Sequence, residues 1–448
     1  MLAAMPPTPP TTPERDEARI RDRGDACPGA LRLHAADDGR LARLRLPAGR
    51  LTARQVETLA YAAESLGDGR ISLTSRGNAE LRGLTEGCGT ELAALLTEAG
   101  LLPSPTHERV RNIVVSPAAG LDGLGGPEVQ LWARDLDGLL CAEPWAAALS
   151  GRFLFVLDDG RGDVAGLGGD VTLVAVEPGS ALLHVGGQAF RVGGDDAPPA
   201  ALAAAGAFLA AAGEAGNGAW RMRELPEGCA PDVAGALARA GIAAEPVPDR
   251  ELPEGTPLTP GPLAPGPLTP TPPGPIGPAS LTPGPIGPAS LYVLAPLGRL
   301  TAAQLRALLP AEEVRLTPWR GAVVVGATGE DRLAALASYG LITRPDSPWA
   351  GVSACTGRPG CAKSLADVRA DATPGRPGPT GHPAAPAHPA PAGLPVHYSG
   401  CERRCGHPHG TWVDVVATAD DAYLVDGAPT PRTALPDAVT TARTTTTR

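Results

Sequence analysis

Two stretches of the chain carry the same succession of apolar and polar positions. In the first, GRLTARQVETLA at 49–60 opens a run in which Val56, Leu59, Ala60, Ala63 and Leu66 recur at helical spacing. In the second, GRLTAAQLRALL at 298–309 repeats the wording. Each opens on a Thr-x-x-Gln capping box, Thr52 with Gln55 and Thr301 with Gln304. Strand-like segments with a shared Leu-Thr follow, RISLTSRGNAELRGL at 70–84 and EVRLTPWRGAVVVGA at 313–327. A further helix is predicted over 91–99 and over 331–339, each closed by a glycine, Gly100 and Gly340, suited to a C-cap. An apolar pair comes next in both, Leu101-Leu102 and Leu341-Ile342. Both copies therefore read strand, helix, strand, strand, helix. The pattern predicts an internally duplicated α+β protein with a pseudo-twofold axis and a site between its halves.

Punctuation separates the copies. Residues 252–290 hold 14 prolines in 39 positions and repeat the eight residues GPIGPASL, at 274–281 and 284–291. That density of Pro and Gly predicts a semi-extended linker rather than a helix or strand interior. Residues 371–395 hold 8 prolines in 25 positions and read as an inserted loop. Residues 1–25 and 431–448 are expected to be disordered ends.

Composition narrows the class. Aromatic residues make up 3% of the chain, so cores must be built from Leu, Val, Ile and Ala, and 43% hydrophobic residues suffice for that. A net charge of −10 argues against a general nucleic-acid binder. No run of 18 apolar residues suggests a membrane span. The start has no apolar h-region, so a cytoplasmic location is expected. There, eight cysteines point to metal ligands, catalysis or packing before disulfides. Lys363 is the single lysine among 38 basic residues; the rest are arginines, whose forks match carboxylates.

The most specific chemistry lies in two cysteine pairs. Cys355 and Cys361 have five residues between them in ACTGRPGCAKS, and Cys401 and Cys405 have three between them in YSGCERRCGHPHG. Four thiolates can hold a cubane iron–sulfur cluster, one per iron. Gly357, Gly360, Gly400 and Gly406 would let the backbone approach it. Structural zinc is the competing reading, but zinc knuckles favour tighter pairs than C-x5-C. His407 and His409 could ligate a mononuclear iron, though loop histidines at Pro-containing turns are more often structural. Cys27, Cys88, Cys141 and Cys229 have no paired spacing and read as packing residues. No ordered G-x-G-x-x-G fingerprint announces a nicotinamide domain.

The paired cysteines in CTGxxGC and SGCxxxC wording, with LTSRGN, LRG and RN-plus-apolar segments in the first half, resemble the nitrite/sulfite reductase superfamily. Within it, ACPGALRLHAADDGRLARLRLPAGRLT and LTSRGNAELRG make the chain most similar to the precorrin-3B synthases of aerobic cobalamin biosynthesis. The resemblance implies ferredoxin-like half-domains at 26–105 and 291–347. It also implies a siroheme/tetrapyrrole-binding type of α/β domain at 106–251 and a cluster-binding domain at 348–430. It implies a [4Fe–4S] cluster on Cys355, Cys361, Cys401 and Cys405, with siroheme or a mononuclear non-heme iron left open. The implied reaction hydroxylates a precorrin with dioxygen and closes a lactone. The electron donor would be external, a ferredoxin or an NADH-dependent reductase, and neither nucleic acid nor membrane is an expected partner.

Precorrins and siroheme are polycarboxylates, so their pocket needs fixed cations. Arg43, Arg76, Arg111 and Arg152 are the expected cofactor- or substrate-binding arginines, with Arg45 and Arg82 as further candidates. Reductases of the superfamily carry two lysines in a segment that corresponds here to LSGRFLFVLDDG at 149–160, where Arg152 and Leu154 stand instead. Arginine does not donate a proton at neutral pH, which disfavours a proton-consuming reduction. A sulfite or nitrite reductase with siroheme remains the alternative enzyme. A cluster-bearing electron-transfer or sensor protein is the alternative outside enzymes.

Overall fold

The computed structural model describes residue 25 and residues 27–248, 282–374, 393–408 and 411–444. Most of the expected linker, most of the Pro-rich insert, His409 and the extreme ends lie outside the described residues.

The first copy runs β1 (His34–Ala36), β2 (Gly39–Leu44), β3 (Arg50–Leu51), α1 (Ala53–Leu66), β4 (Arg70–Leu73), β5 (Ala79–Leu84) and α2 (Gly89–Glu98). An α/β unit follows: β6 (Ile113–Val115), α3 (Val129–Ala142), β7 (Phe155–Asp158), β8 (Val171–Glu177), β9 (Ser180–Val185), β10 (Gln188–Gly193), α4 (Ala197–Ala215), α5 (Val233–Arg239) and β11 (Ala244–Val247). The second copy comprises β12 (Gly284–Ile286), β13 (Ser290–Leu294), β14 (Arg299–Thr301), α6 (Ala302–Ala307), β15 (Glu313–Leu316), β16 (Gly321–Val325) and α7 (Glu330–Ser338). The last unit holds β17 (Val352–Ala354), α8 (Val368–Asp371), β18 (Val396–Ser399), β19 (Val413–Ala417), β20 (Ala422–Val425), β21 (Ala428–Pro431) and α9 (Leu435–Thr444).

Both capping boxes form. The Thr52 and Thr301 hydroxyls accept from the Gln55 and Gln304 N–H groups, and each glutamine side chain accepts from its threonine N–H at 2.9 Å. This satisfies two otherwise unpaired donors at each helix start. The turn before each helix is also duplicated. Ala48 and Leu297 take left-handed backbone at φ 57° and 50°.

The two copies exchange a strand. One sheet runs β1-β2-β5-β4-β14 and the other β12-β13-β16-β15-β3. β14 pairs antiparallel with β4 (Arg299 opposite Ser72), and β3 pairs with β15 (Arg50 opposite Arg315). The sheets share one apolar core through α1 and α6, with Val56, Leu59 and Ala60 from one copy and Leu305, Leu308 and Leu336 from the other. The fold is α+β with an internally duplicated pair of half-domains, as the pattern predicts. Burial of this common face is the main stabilisation; each fully buried Leu contributes about 1.5–3 kcal/mol.

A six-stranded sheet, β11-β10-β9-β8-β7-β6, carries α3 and α4 over a second core. The β7–β8 loop is folded around its own acids. Asp158 accepts from the N–H groups of Gly160, Gly162, Val164 and Ala165, Asp159 pairs with Arg161, and Ser116 donates to Asp163 at 2.6 Å. Burial, and then the neighbouring Asp158, push Asp163 up to about 7. The last sheet runs β17-β18-β19-β20-β21.

Two expectations meet a different structure. The second GPIGPASL forms edge strand β12 and the start of β13, with Pro285 opposite Leu291. An edge strand tolerates proline because one side of its backbone needs no partner. The stretch after 431, expected to be disordered, contains α9, which buries Leu435, Val439 and Arg443 at a four-residue spacing. The threonine-rich wording hid that stripe. Among the described residues no helix is long and apolar enough to cross a membrane.

Candidate functional site

The two cysteine motifs meet for a topological reason. β17 and β18 pair in parallel, Val352 opposite Val396 and Ala354 opposite Tyr398. Their C-terminal ends therefore leave the sheet at the same edge. Cys355 follows β17 directly, and Gly400-Cys401 follows β18. The Cys355 N–H donates to the Tyr398 carbonyl at 3.0 Å, and the Gly400 N–H donates to the Cys355 Sγ at 3.2 Å. Gly400 has to be glycine here: a Cβ would lie 1.8 Å from the Ser364 Oγ.

All four cysteines are free thiols. Burial pushes the Cys405 thiol up, and its neighbours Cys355, Cys401 and Cys361 push it the same way, which puts the four in one electrostatic neighbourhood. Four thiols on two loops that leave one sheet edge are a donor set that fits a cubane, which takes one thiolate per iron.

The first copy holds the cysteine loop in place. The turn between β1 and β2 presents Asp37, which accepts from the Ala362 N–H at 2.5 Å, and Asp38. Arg82 grips Asp38 with two bonds of 2.8 and 2.9 Å and donates to the Gly360 carbonyl at 2.9 Å. Arg82 also meets Glu80 at 3.2 Å, and Glu80 accepts from Arg43 at 2.7 Å. A continuous polar chain thus runs from Arg43 on β2 to the backbone of the C-x5-C loop. From the other side, Arg320 donates to the Gly406 carbonyl at 3.1 Å.

His397, fully buried on β18, has no signal in the sequence beyond a polar residue in an apolar strand. Its Nε2 lies 3.2 Å from the Cys405 carbonyl and its Nδ1 2.9 Å from the Ser353 Oγ. The carbonyl can only accept, so Nε2 carries the proton and Nδ1 accepts. Burial, followed by the Arg320 charge, pulls the imidazole down to about 4, which keeps it neutral. His407 instead stacks on Trp412, with ring centroids 4.6 Å apart.

Beyond Arg43 lies a cluster of cations. Arg43 and Arg45 share a face two residues apart. Arg45 is 3% exposed; it donates to the Arg109 carbonyl at 3.2 Å and the Gly151 carbonyl at 3.3 Å, and its Nη1 is buried without a partner. Arg76 reaches the same Gly151 carbonyl at 3.5 Å, as does Asn112 at 2.7 Å. Arg152 lies 4.9 Å over the Trp220 ring, in the neighbourhood of Cys27. Arg221, which sequence reasoning missed, adds its charge beside Arg76 while pairing with Asp170 at 2.5 Å. Burial and then the Arg43 charge pull Arg45 down to about 9; burial and then Arg221 pull Arg76 down to about 10. Cations held this way gain most from an incoming anion. Arg111 stands apart: both arms of its fork bind Asp137 at 2.6 Å, and a third donor points to the Leu101 carbonyl.

Comparison with known proteins places this arrangement. Residues 34–99 match the family model described as the nitrite/sulfite reductase ferredoxin-like half domain. Over 420 residues, 91% of this chain and 83% of the other, the chain is 27% identical to a Sinorhizobium sp protein named precorrin-3B synthase. A shorter stretch of 84 residues is 40% identical to a ferredoxin–nitrite reductase of Synechococcus elongatus, covering 18% of this chain and 16% of that one. In fold, the Mycobacterium tuberculosis NirA protein matches with a TM-score of 0.59 at 16% identity, over 91% of this chain and 82% of that one.

Proposed function

We propose that this chain, which belongs to the nitrite/sulfite reductase-like superfamily, is a precorrin-3B synthase-like monooxygenase acting on a polycarboxylate tetrapyrrole. The observation that carries the reading is the cluster of incompletely paired arginines, tied through Glu80 and Arg82 to the four-thiol loops. The extended similarity to the Sinorhizobium protein supports the same choice.

In this reading Cys355, Cys361, Cys401 and Cys405 hold a [4Fe–4S] cluster, which when bound supplies electrons one at a time. Arg43, Arg45 and Arg76 bind peripheral carboxylates; truncating one would leave a carboxylate unpaired in a partly buried site. Asn112 and the Gly151 carbonyl keep the guanidinium groups aimed. Arg152, braced on Trp220, closes the side nearest Cys27. Overall, one atom of dioxygen enters the macrocycle and the other leaves as water, with two electrons from an external donor. A carboxylate of the substrate then closes the lactone. Arg111 is assigned a structural part in this scheme, because Asp137 already neutralises it.

The reductase reading rests on the half-domain shared with nitrite reductases. It requires proton donors where the superfamily's lysine pair would stand. Leu154 is 3% exposed and packs among Val114, Val156 and Val164, and an arginine is no proton donor in a protein. Neither can protonate a bound oxyanion.

The deciding experiment is anaerobic incubation with precorrin-3A, then labelled dioxygen, followed by mass analysis. Incorporation of a single labelled oxygen atom is expected. Six-electron reduction of nitrite or sulfite with no change in the tetrapyrrole would replace this reading by the reductase.

A further inference from the structure

Arg320 occupies a backbone position that L-residues avoid. Its φ is 62°, and the matching residue of the first copy, in the ungapped alignment of LTSRGNA with LTPWRGA, is Gly77 at φ 66°. A left-handed non-glycine residue is strained and persists where something else requires the side chain. The Arg320 side chain packs on Gly298 and donates to the Gly406 carbonyl, next to Cys405. Arg369, on α8, reaches the same turn from the other side, donating to the Leu297 carbonyl at 3.1 Å while its Nε is buried without a partner. Its charged neighbours are Arg299, Arg320, Cys355 and Arg82. Arg299 and Arg82 are paired with Asp68 and Asp38. Among the described residues no carboxylate pairs with Arg320 or Arg369. Two incompletely neutralised cations therefore stand beside the cysteine loops, one of them at the expense of backbone strain.

We propose that Arg320 and Arg369 form a cationic wall of the four-thiol centre that offsets the negative charge of the cluster and raises its reduction potential. This rests on the cluster reading above. One electron from a one-electron donor adds one negative charge to a cluster already bound by four thiolates, and fixed cations stabilise the reduced form more than the oxidised one. Both are positioning residues: neither is a ligand.

The test uses the full chain, reconstituted anaerobically with iron and sulfide and titrated with dithionite under EPR detection. Arg320→Gly places the residue that the first copy uses at the strained position, so the backbone is relieved while the charge is lost. Arg369→Gln removes the other charge, and Arg320→Lys and Arg369→Lys restore it. For each charge-removing variant, wild-type iron and sulfide content is expected. The ratio of reduced to oxidised cluster should fall about tenfold at the wild-type midpoint, a shift of about 59 mV for one electron. The lysine variants should recover most of that shift. Unchanged midpoints in both charge-removing variants would overturn the proposal, as would lysine variants that shift as far as the neutral ones. Absence of iron and sulfide from the reconstituted unmodified protein would overturn the cluster reading itself, a result distinct from unchanged midpoints in cluster-bearing variants.

Discussion

The two copies of the half-domain share a backbone and differ on one face of their sheets. Counted from the common Gly-Arg-Leu-Thr for the first two and from the common Leu-Thr for the rest, and checked by strand register, Arg43, Arg45, Arg76, Glu80 and Arg82 of the first copy correspond to Tyr292, Leu294, Trp319, Val323 and Val325 of the second. In the first copy Arg43 sits opposite Glu80; in the second, Tyr292 sits opposite Val323. Every charge has been exchanged for bulk. Tyr292 and Val323 are fully buried with Ala118 and Ile286, and the tyrosine hydroxyl meets Thr317 at 3.2 Å. Where the first copy clusters arginines, the second packs apolar side chains. Duplication thus preserves the packing that both sheets need, while each exposed face is free to specialise. A buried network of charges is weak evidence for stability, since apolar residues do as well or better at such positions. The first copy's charges are better explained by a ligand.

That contrast can be broken most severely at the second half's own contribution. Cys401→Ser is expected to abolish cluster binding, read as loss of iron and sulfide on reconstitution, whereas Cys229→Ser should leave both at wild-type levels. Next, Arg45→Met or Arg76→Met should weaken tetrapyrrole binding by about 2–5 kcal/mol, since each leaves a carboxylate unpaired. On the same face of the second copy, Tyr292→Phe, at the position of Arg43, should leave affinity untouched and cost about 1 kcal/mol of stability, the worth of one hydrogen bond. Equal losses of affinity from both copies, measured by absorbance titration, would erase the distinction drawn between them.

A pH profile sharpens the picture of the cysteine end. His397 is held down to about 4 by burial, against about 6.5 in the unfolded chain. Between these values the unfolded state binds the proton and the folded state does not. Stability should therefore fall as pH drops from about 6.5 to about 4, by up to about 1.4 kcal/mol per pH unit. His397→Gln should flatten denaturant-derived stability across that window. An effect of opposite sign is expected at Asp163, whose folded value of about 7 lies above the 3.8 of a free carboxyl. Between these values the folded state holds the proton and the unfolded state does not, so stability falls as pH rises through this window. Asp163→Asn should raise the melting temperature at pH 8 relative to wild type and raise it less at pH 5.

The half-domain repeat was legible because its signals are local. Capping boxes, a glycine after a helix and alternation along strands act within a few residues, so the wording around Thr52 and Thr301 specifies helices wherever it occurs. The strand exchange was not legible, since β3 and β14 are two and three residues long and their partners lie in the other copy. The helix α9 was missed for the opposite reason: a real local stripe was masked by its threonine-rich composition.

For the site, the residue types could be read from the chain and their partners could not. Spacing singled out Cys355, Cys361, Cys401 and Cys405, and the family resemblance singled out Arg43, Arg76, Arg111 and Arg152. Tertiary structure decided which cations stay available. Arg111 meets Asp137, 26 residues away, and is neutralised; Arg45 meets only carbonyls and is not. It decided that Glu80 and Arg82 join the arginine cluster to the cysteine loop, and that a parallel pairing of β17 with β18 carries both cysteine motifs to one sheet edge. Local propensity is a property of neighbours in the chain, whereas charge neutralisation and ligand convergence depend on distances that only folding sets.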